Sequence, residues 1–174
     1  MGKTEENLKE AFAGESQARN KYLFFAKVAR EEGFNYIAKI FEETADNEMQ
    51  HAKEEFKLLH GIGNTVANLK SAIEGEHFET EDMYPRMQAD AEKEKNVDAA
   101  KLFREVGKIE KHHEERYKKL LQLVESGDVW KRDSSIKWKC MKCGHIHEGK
   151  EAPKVCPSCK HPKEYFEPSD LCDF

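Results

Sequence analysis

The chain has 174 residues, 36% of them charged, with 29 Lys and Arg against 34 Asp and Glu for a net charge of −5; this is room for one good core and a small appendage. Acids and bases are interspersed as on solvated helix faces, with no basic block and no aromatic-basic interleaving, which argues against a nucleic-acid partner. No run of 18 apolar residues offers a membrane span, and residues 1–7 hold no apolar signal segment, so a soluble, cytoplasmic protein is expected.

Four long helical patterns follow. The first is predicted from about Thr4, a favoured N-cap residue type, to Glu32, with Gly33 as its stop. Its apolar stripe is Leu8, Phe12, Ala18, Tyr22, Phe25 and Ala29, and Glu15 lies in the middle of it. The second runs from about Asn35 to His60, with a stripe of Ile37, Phe41, Ala45, Ala52, Phe56 and Leu59 that Glu48 and His51 interrupt. The third starts near Thr65, carries Leu69, Ile73, Met83 and Met87 with Glu76 and Glu79 among them, and should kink or break at Pro85. The fourth, from about Asp98 to Ser126, sets Phe103, Val106, Tyr117, Leu120 and Val124 around Glu110 and His113, and Gly127 ends it. Helical periodicity then stops. Ser134 and Ser135 read as a short hinge and 136–140 as a strand. The expected organisation is a helical domain over 1–132 and a small β-rich domain over 136–174, the latter too short to fold on apolar burial alone and so held by a metal.

Glu48-Met-Gln-His51 and Glu110-Lys-His-His113 are both Glu-x-x-His. Residues three apart on a helix share a face, so each phrase aims a carboxylate and an imidazole the same way. The phrase belongs to an internal repeat. A shift of 62 lays Ala38-Lys-Ile-Phe41 on Ala100-Lys-Leu-Phe103 and Glu48 and His51 on Glu110 and His113; a shift of 61 lays Glu15 on Glu76. One helical hairpin is thus written twice, each copy with one Glu on its first helix and Glu plus His on its second. That is the ligand arrangement of dinuclear carboxylate sites in ferritin-like bundles.

Glu15, Glu48, Glu76, Glu79 and Glu110 all point at one core. Burying an ionised carboxylate without a partner costs several kcal/mol, and no matching set of Lys or Arg is present, Arg19 being the only nearby candidate. Two divalent cations would offset the charge, with His51 and His113 completing the shells. Oxygen-rich ligands without thiolate suit iron or manganese better than copper. Tyr22 and Tyr84 read either as core aromatics or as hydrogen-bond donors to the carboxylates. His60, His77, His112, His145, His147 and His161 read as solvent-facing.

Cys140-Met-Lys-Cys143 and Cys156-Pro-Ser-Cys159, twelve residues apart, form a strong signal for a tetrahedral four-thiolate metal site. Spacing alone leaves zinc and iron open; beside a redox-active dinuclear site, which needs electrons, iron is the better fit. Cys172 is left over and reads as a free thiol in a tail.

These segments together resemble the rubrerythrin family over essentially the whole chain: Ala-Phe-Ala-Gly-Glu15-Ser-Gln-Ala-Arg, Glu48-x-x-His51-Ala-Lys, Gly75-Glu76-His-Phe-Glu79-Thr-Glu-Asp-Met-Tyr84-Pro, Glu110-x-x-His113, and the cysteine set with His-Glu-Gly after Cys143-Gly. The resemblance implies an all-α four-helix ferritin-like bundle with a C-terminal rubredoxin-like domain, two irons held by Glu15, Glu48, His51, Glu76, Glu79, Glu110 and His113, and one iron on Cys140, Cys143, Cys156 and Cys159, where zinc could substitute. It implies that one iron exchanges Glu79 and His51 as ligands with oxidation state, and that Tyr22 and Tyr84 lie just outside the ligands. It further implies reduction of hydrogen peroxide to water, with electrons relayed through the four-cysteine centre from an NAD(P)H-linked reductase or a rubredoxin. Lys160 departs from the rubredoxin pattern, where Gly often follows the second cysteine pair.

The link at 61–65 reaches at most ~18 Å, whereas a second helix of 26 residues is about 39 Å long. A crossover within one chain would need that full length. Either the third helix starts late, nearer Ala72, or a homodimer forms with swapped hairpins. The alternative functions are a ferroxidase or iron-handling ferritin-like protein and a non-enzymatic electron carrier.

Overall fold

A computed structural model describes residues 2–169, in two compact units divided between Gly63 and Asn64; Cys172 lies outside the described residues. The first unit is a helical hairpin of α1 (Lys3–Glu31) and α2 (Asn35–Leu58). Its start is capped by neither Thr4 nor any other side chain: the N-cap is Gly2, and Thr4 is already helical. The α1–α2 turn is the expected one. Gly33 takes φ +86, which a side chain would strain, and Phe34 N–H reaches back to Ala29 O at 2.8 Å. Ala26, Ala29 and Ala38 pack under Phe41, so small residues let the two helices approach while Phe41 gathers Tyr22 and Phe25 around it, with ring centroids at 6.1 and 5.7 Å.

The second unit begins with α3 (Thr65–Phe78), whose Asn64 N-cap accepts from Ala67 N–H at 2.9 Å. A late start near Ala72 is therefore not what the chain does. The break expected at Pro85 comes as a π-helical segment, Glu79–Met83, followed by α4 (Tyr84–Lys93) with Pro85 in its first turn. Proline has no amide to donate, so the ladder loses a bond there; the backbone widens by one residue and Tyr84 N–H bonds to Glu79 O. α5 (Val97–Ser126) packs on both α3 and α4, starts under an Asn96 cap, and ends at Gly127 with φ +76.

Three strands follow: β1 (Lys131–Cys140), β2 (Ile146–Glu151) and β3 (Phe166–Pro168), antiparallel in the order β2-β1-β3. Ser134 and Ser135 lie inside β1 rather than in a hinge; the register against β2 shifts between Lys131 and Ile136, an irregularity that does not end the strand. Trp138, Cys140, Ala152, Cys156 and Phe166 form the small core, and Trp138 Nε1–H donates to Gly149 O at 3.0 Å. The architecture is the expected class, helical with a small C-terminal antiparallel sheet.

Candidate functional site

The hairpin repeat brings its polar residues together identically in each unit. In the first, Glu15 from α1 meets Glu48 and His51 from α2; in the second, Glu76 from α3 meets Glu110 and His113 from α5. In each triad one ligand atom from every residue lies within 4.8 Å of the others. His51 Nδ1 is 2.8 Å from Glu48 Oε2 and 4.0 Å from Glu15 Oε2. His113 Nδ1 is 2.7 Å from Glu110 Oε2 and 3.7 Å from Glu76 Oε2. The same atoms therefore converge in both copies, which is the structural form of the sequence repeat.

The electrostatics are those of carboxylates gathered without a cation. Burial pushes the Glu15 carboxyl above its usual range, and neighbouring Glu48 adds to it. Burial does the same to Glu76, with Glu110 as the added cause. Glu76 Oε2 is buried and has no hydrogen-bond partner. Orphaned carboxylate oxygens beside an imidazole nitrogen are a donor set for a divalent metal, not for a lone Lys or Arg. The triads thus fit metal ions.

Glu79, first residue of the π segment, stands outside the triad. Its carboxyl is raised by burial and then by the Glu110 charge. Burial, then the charges of Glu79, Glu110 and Glu76, push the Tyr84 phenol up; its ring packs near Phe103, and its Cβ is the atom that a Cβ on Gly107 would meet, at 3.1 Å. Tyr22 sits in the aromatic group with Phe25 and Phe41.

Buried polar groups at Glu114 and Glu55, and the unpartnered Thr80 hydroxyl, escape the sequence reading. Glu114 is 5% exposed and accepts from His77 at 3.0 Å and Lys118 at 2.6 Å. His77 has an exposed ring, as expected, yet is bonded across helices. Glu55 Oε2 is buried without a partner, and its charge adds to the rise at Glu15. Glu114 follows Glu110 by four residues and Glu55 follows His51 by four, so helical spacing alone puts both on the ligand-bearing stripe.

Cys140, Cys143, Cys156 and Cys159 also converge. Cys140–Cys159 and Cys143–Cys156 sulfurs are 3.7 Å apart. A tetrahedron with bonds of about 2.3 Å has edges of about 3.8 Å, so the four thiols already stand at metal-site spacing. Burial pushes the Cys156 thiol up, but amides of Cys159 and Ser158 outweigh it and bring it to about 6. Cys159 gains an amide bond at His161, yet burial and the other three sulfurs carry it to about 12. Four such thiols cannot all ionise together without a cation.

Helical hairpins bearing paired carboxylate–histidine triads, with a four-cysteine β-domain, define the class of non-haem diiron proteins with a rubredoxin-like appendage. Residues 6–121 match the Rubrerythrin family, and residues 138–167 match its rubredoxin-like domain. The chain is 46% identical to a rubrerythrin of Porphyromonas gingivalis, over 95% of this chain and 90% of that one. It is 42% identical to a rubrerythrin of Nitratidesulfovibrio vulgaris, over 95% and 93%. Among solved structures, nigerythrin in a partially reduced state is 36% identical, with a TM-score of 0.38, over 97% of this chain and 87% of that chain. The chain belongs to the rubrerythrin family. It is an oxidoreductase whose cofactor is iron, at a dinuclear carboxylate–histidine site and at a four-cysteine site. No helix among the described residues is long and apolar enough to cross a membrane.

Proposed function

We propose that the chain is a hydrogen-peroxide reductase of oxidative-stress defence, with a dinuclear part over 1–132 and an electron-relay part over 136–174. The observation that carries this reading is the matched pair of triads, because two like metal positions suit a two-electron reduction of one small, symmetric oxidant. Glu15, Glu48 and His51 are the ligands from one hairpin and Glu76, Glu79, Glu110 and His113 those from the other. Bound iron would supply Lewis acidity and the electrons for breaking the O–O bond.

The chain's own residues handle protons and position. Conversion of peroxide to two waters takes two protons as well as two electrons. Tyr84 keeps its phenolic proton at neutral pH, because burial and three nearby carboxylates oppose its loss, so its hydroxyl can donate a hydrogen bond toward the site. Glu79 binds protons more readily than an ordinary carboxylate, which suits a residue that holds and passes them. By family resemblance, Glu79 also exchanges with His51 as ligand, and Tyr22 is the counterpart of Tyr84 on the other hairpin. Cys140, Cys143, Cys156 and Cys159 hold the iron through which electrons enter from an NAD(P)H-linked reductase or a rubredoxin.

The assembly that we propose is a homodimer with exchanged hairpins. α2 spans 24 residues, about 36 Å, whereas the six residues 59–64 reach at most about 20 Å. With α3 starting at Thr65, the crossover of an unswapped bundle has no chain to run on. Leu23, Phe24, Phe25, Val28, Ile37 and Ile40 are exposed large apolar side chains on the first hairpin, which supports a partner covering part of it.

The test is anaerobic. The reduced, iron-loaded protein should be oxidised by equimolar peroxide per dinuclear site and should turn over with NAD(P)H and a donor reductase. Ready oxidation by oxygen with no peroxide turnover would instead indicate ferroxidase chemistry. A monomer with full iron content in sedimentation would rule out the exchanged dimer.

A further inference from the structure

The four-cysteine part differs in charge from the rest of the chain. Residues 136–174 hold seven Lys and Arg against six Asp and Glu, while the whole chain is net −5. Cys140 and Cys156 are fully buried, Cys159 is half-buried and Cys143 is exposed. The outward cysteines are therefore the second of each pair, and each has a lysine as its immediate neighbour, Lys142 before Cys143 and Lys160 after Cys159.

Both lysines are held near the opening. Lys142 Nζ sits over the Tyr165 ring, 5.4 Å from its centroid. Lys160 Nζ donates to Pro157 O at 2.9 Å, within the second cysteine loop. Lys160 also takes φ +63, a conformation that glycine adopts freely and that costs other residues roughly 1 kcal/mol. Gly144, at the matching place after the first cysteine pair, takes φ +75, so Lys160 stands where glycine would be less strained. Beside Cys143, Met141 is 52% exposed, so an apolar contact lies inside a cationic rim, the usual make-up of a protein-binding patch.

We propose that Met141, Lys142, Cys143 and Lys160 form the docking surface for an acidic one-electron carrier protein, which reduces the ferric four-cysteine centre to ferrous and is itself oxidised by one electron. The proposal rests on the relay reading of that centre. Charge complementarity is the reason for committing to an acidic protein: a cationic rim of this kind accelerates and orients encounter with a negative face, by 10-fold or more at low salt, and the effect fades once the screening length falls below the contact distance.

The experiment uses the full chain, with zinc in the four-cysteine site so that redox chemistry does not enter the binding measurement. An oxidised rubredoxin of strongly negative net charge is the probe, titrated by calorimetry and by amide chemical shifts at low and high salt. The expected results are shifts at residues 141–144 and 158–160, and a Kd that rises with salt. In Lys142→Gln/Lys160→Gly the low-salt Kd should weaken about 10-fold, with a flatter salt dependence. Lys160→Gly relieves the positive φ, so the variant should fold at least as well as the parent. In the iron-loaded protein, reduction of the ferric centre by the reduced probe should slow in parallel, while reduction by dithionite should remain fast. Equal Kd for parent and variant, or a Kd indifferent to salt, overturns the proposal. So does a change in sedimentation of the protein alone on Lys142→Gln, which would mean that the patch meets a second copy of the chain. Peroxide turnover enters none of these readouts, so loss of the peroxidase reading and loss of the docking surface are separable.

Discussion

His77 Nδ1 lies 3.0 Å from Glu114 Oε1, and the two residues immediately follow Glu76 on α3 and His113 on α5. The bond therefore ties together the two helices that aim this triad, one residue away from the metal-facing atoms. Lys118 holds the same carboxylate oxygen from the next turn of α5. Glu114→Ala removes the shared acceptor. Breaking a fully buried pair costs ~3–5 kcal/mol, but His77 and Lys118 are more than half exposed and can rehydrate, so about 1–2 kcal/mol is expected at neutral pH. Lys118 first, with burial opposing and His77 adding, holds the Glu114 carboxyl below its usual range. A depressed folded-state pKa gives stability that is present above the unfolded value and lost as pH falls through the folded one. The gap between parent and variant in urea unfolding should accordingly close in acid. An equal gap at pH 7 and well below pH 4 would contradict this account.

The triad carboxylates make the opposite prediction in a different pH window. Glu15, Glu76 and Glu79 are all raised, first by burial. A raised folded-state carboxyl contributes stability below the unfolded pKa and loses it as pH rises through the folded value. Glu114 is held below the usual carboxylate range by Lys118, so its own contribution falls away on the acid side of that window and the raised groups decide the trend. The metal-free protein should lose thermal stability from about pH 4.5 toward neutrality. Metal loading should reverse the loss, because cations turn mutual repulsion into ligation. Calorimetry of metal-free and loaded protein across this range checks it: the loaded-minus-free difference in Tm should widen with pH, and a constant difference would refute the account.

How far the sequence reached follows from what each feature depends on. Glu48 and His51, or Glu110 and His113, share a face through helix geometry alone, and the repeat places Glu15 and Glu76 by offset; all of this is local periodicity. The Glu114–His77 bond joins residues 37 apart across two helices, and a single-helix pattern carries no trace of it. Pro85 announced a break, but the π form depends on the backbone finding Tyr84 N–H a partner at Glu79 O. Ser134 and Ser135 looked like a hinge by composition; pairing of β1 with β2 on both sides of them keeps the strand going.

Gly61 offers a packing test of the first unit. A Cβ there would clash with the Phe56 ring at Cε2, and Phe56 cannot simply swing away because its ring stacks on Phe12 at 4.8 Å. Gly61 N–H also bonds to Phe56 O at 2.9 Å, which fixes the backbone against the ring. Gly61→Ala should cost about 1–3 kcal/mol, the range for overpacking. Phe56→Leu in the same background should recover part of that loss, measured by denaturant midpoint. Additive effects of the two changes would show that the ring is not what opposes the methyl group.

Cys140→Ala separates the two iron sites. Cys140 is fully buried, and two of the five residues in the small core are cysteines of the metal set, so losing this thiol removes both a ligand and part of what holds the sheet to the second cysteine loop. A domain of this size has little apolar burial in reserve, and its folding free energy is largely metal binding. The variant should lose the absorption of the four-cysteine iron and the buried Trp138 fluorescence signature. Its triads share no residue with that domain and should still load iron. Single-turnover oxidation of the reduced protein by peroxide should then persist near the parental rate, while NAD(P)H-driven turnover should fall by at least about 100-fold. Turnover at the parental level would place electron entry somewhere other than the four cysteines, whereas loss of the single turnover as well would mean that the small domain also supports the fold around the triads.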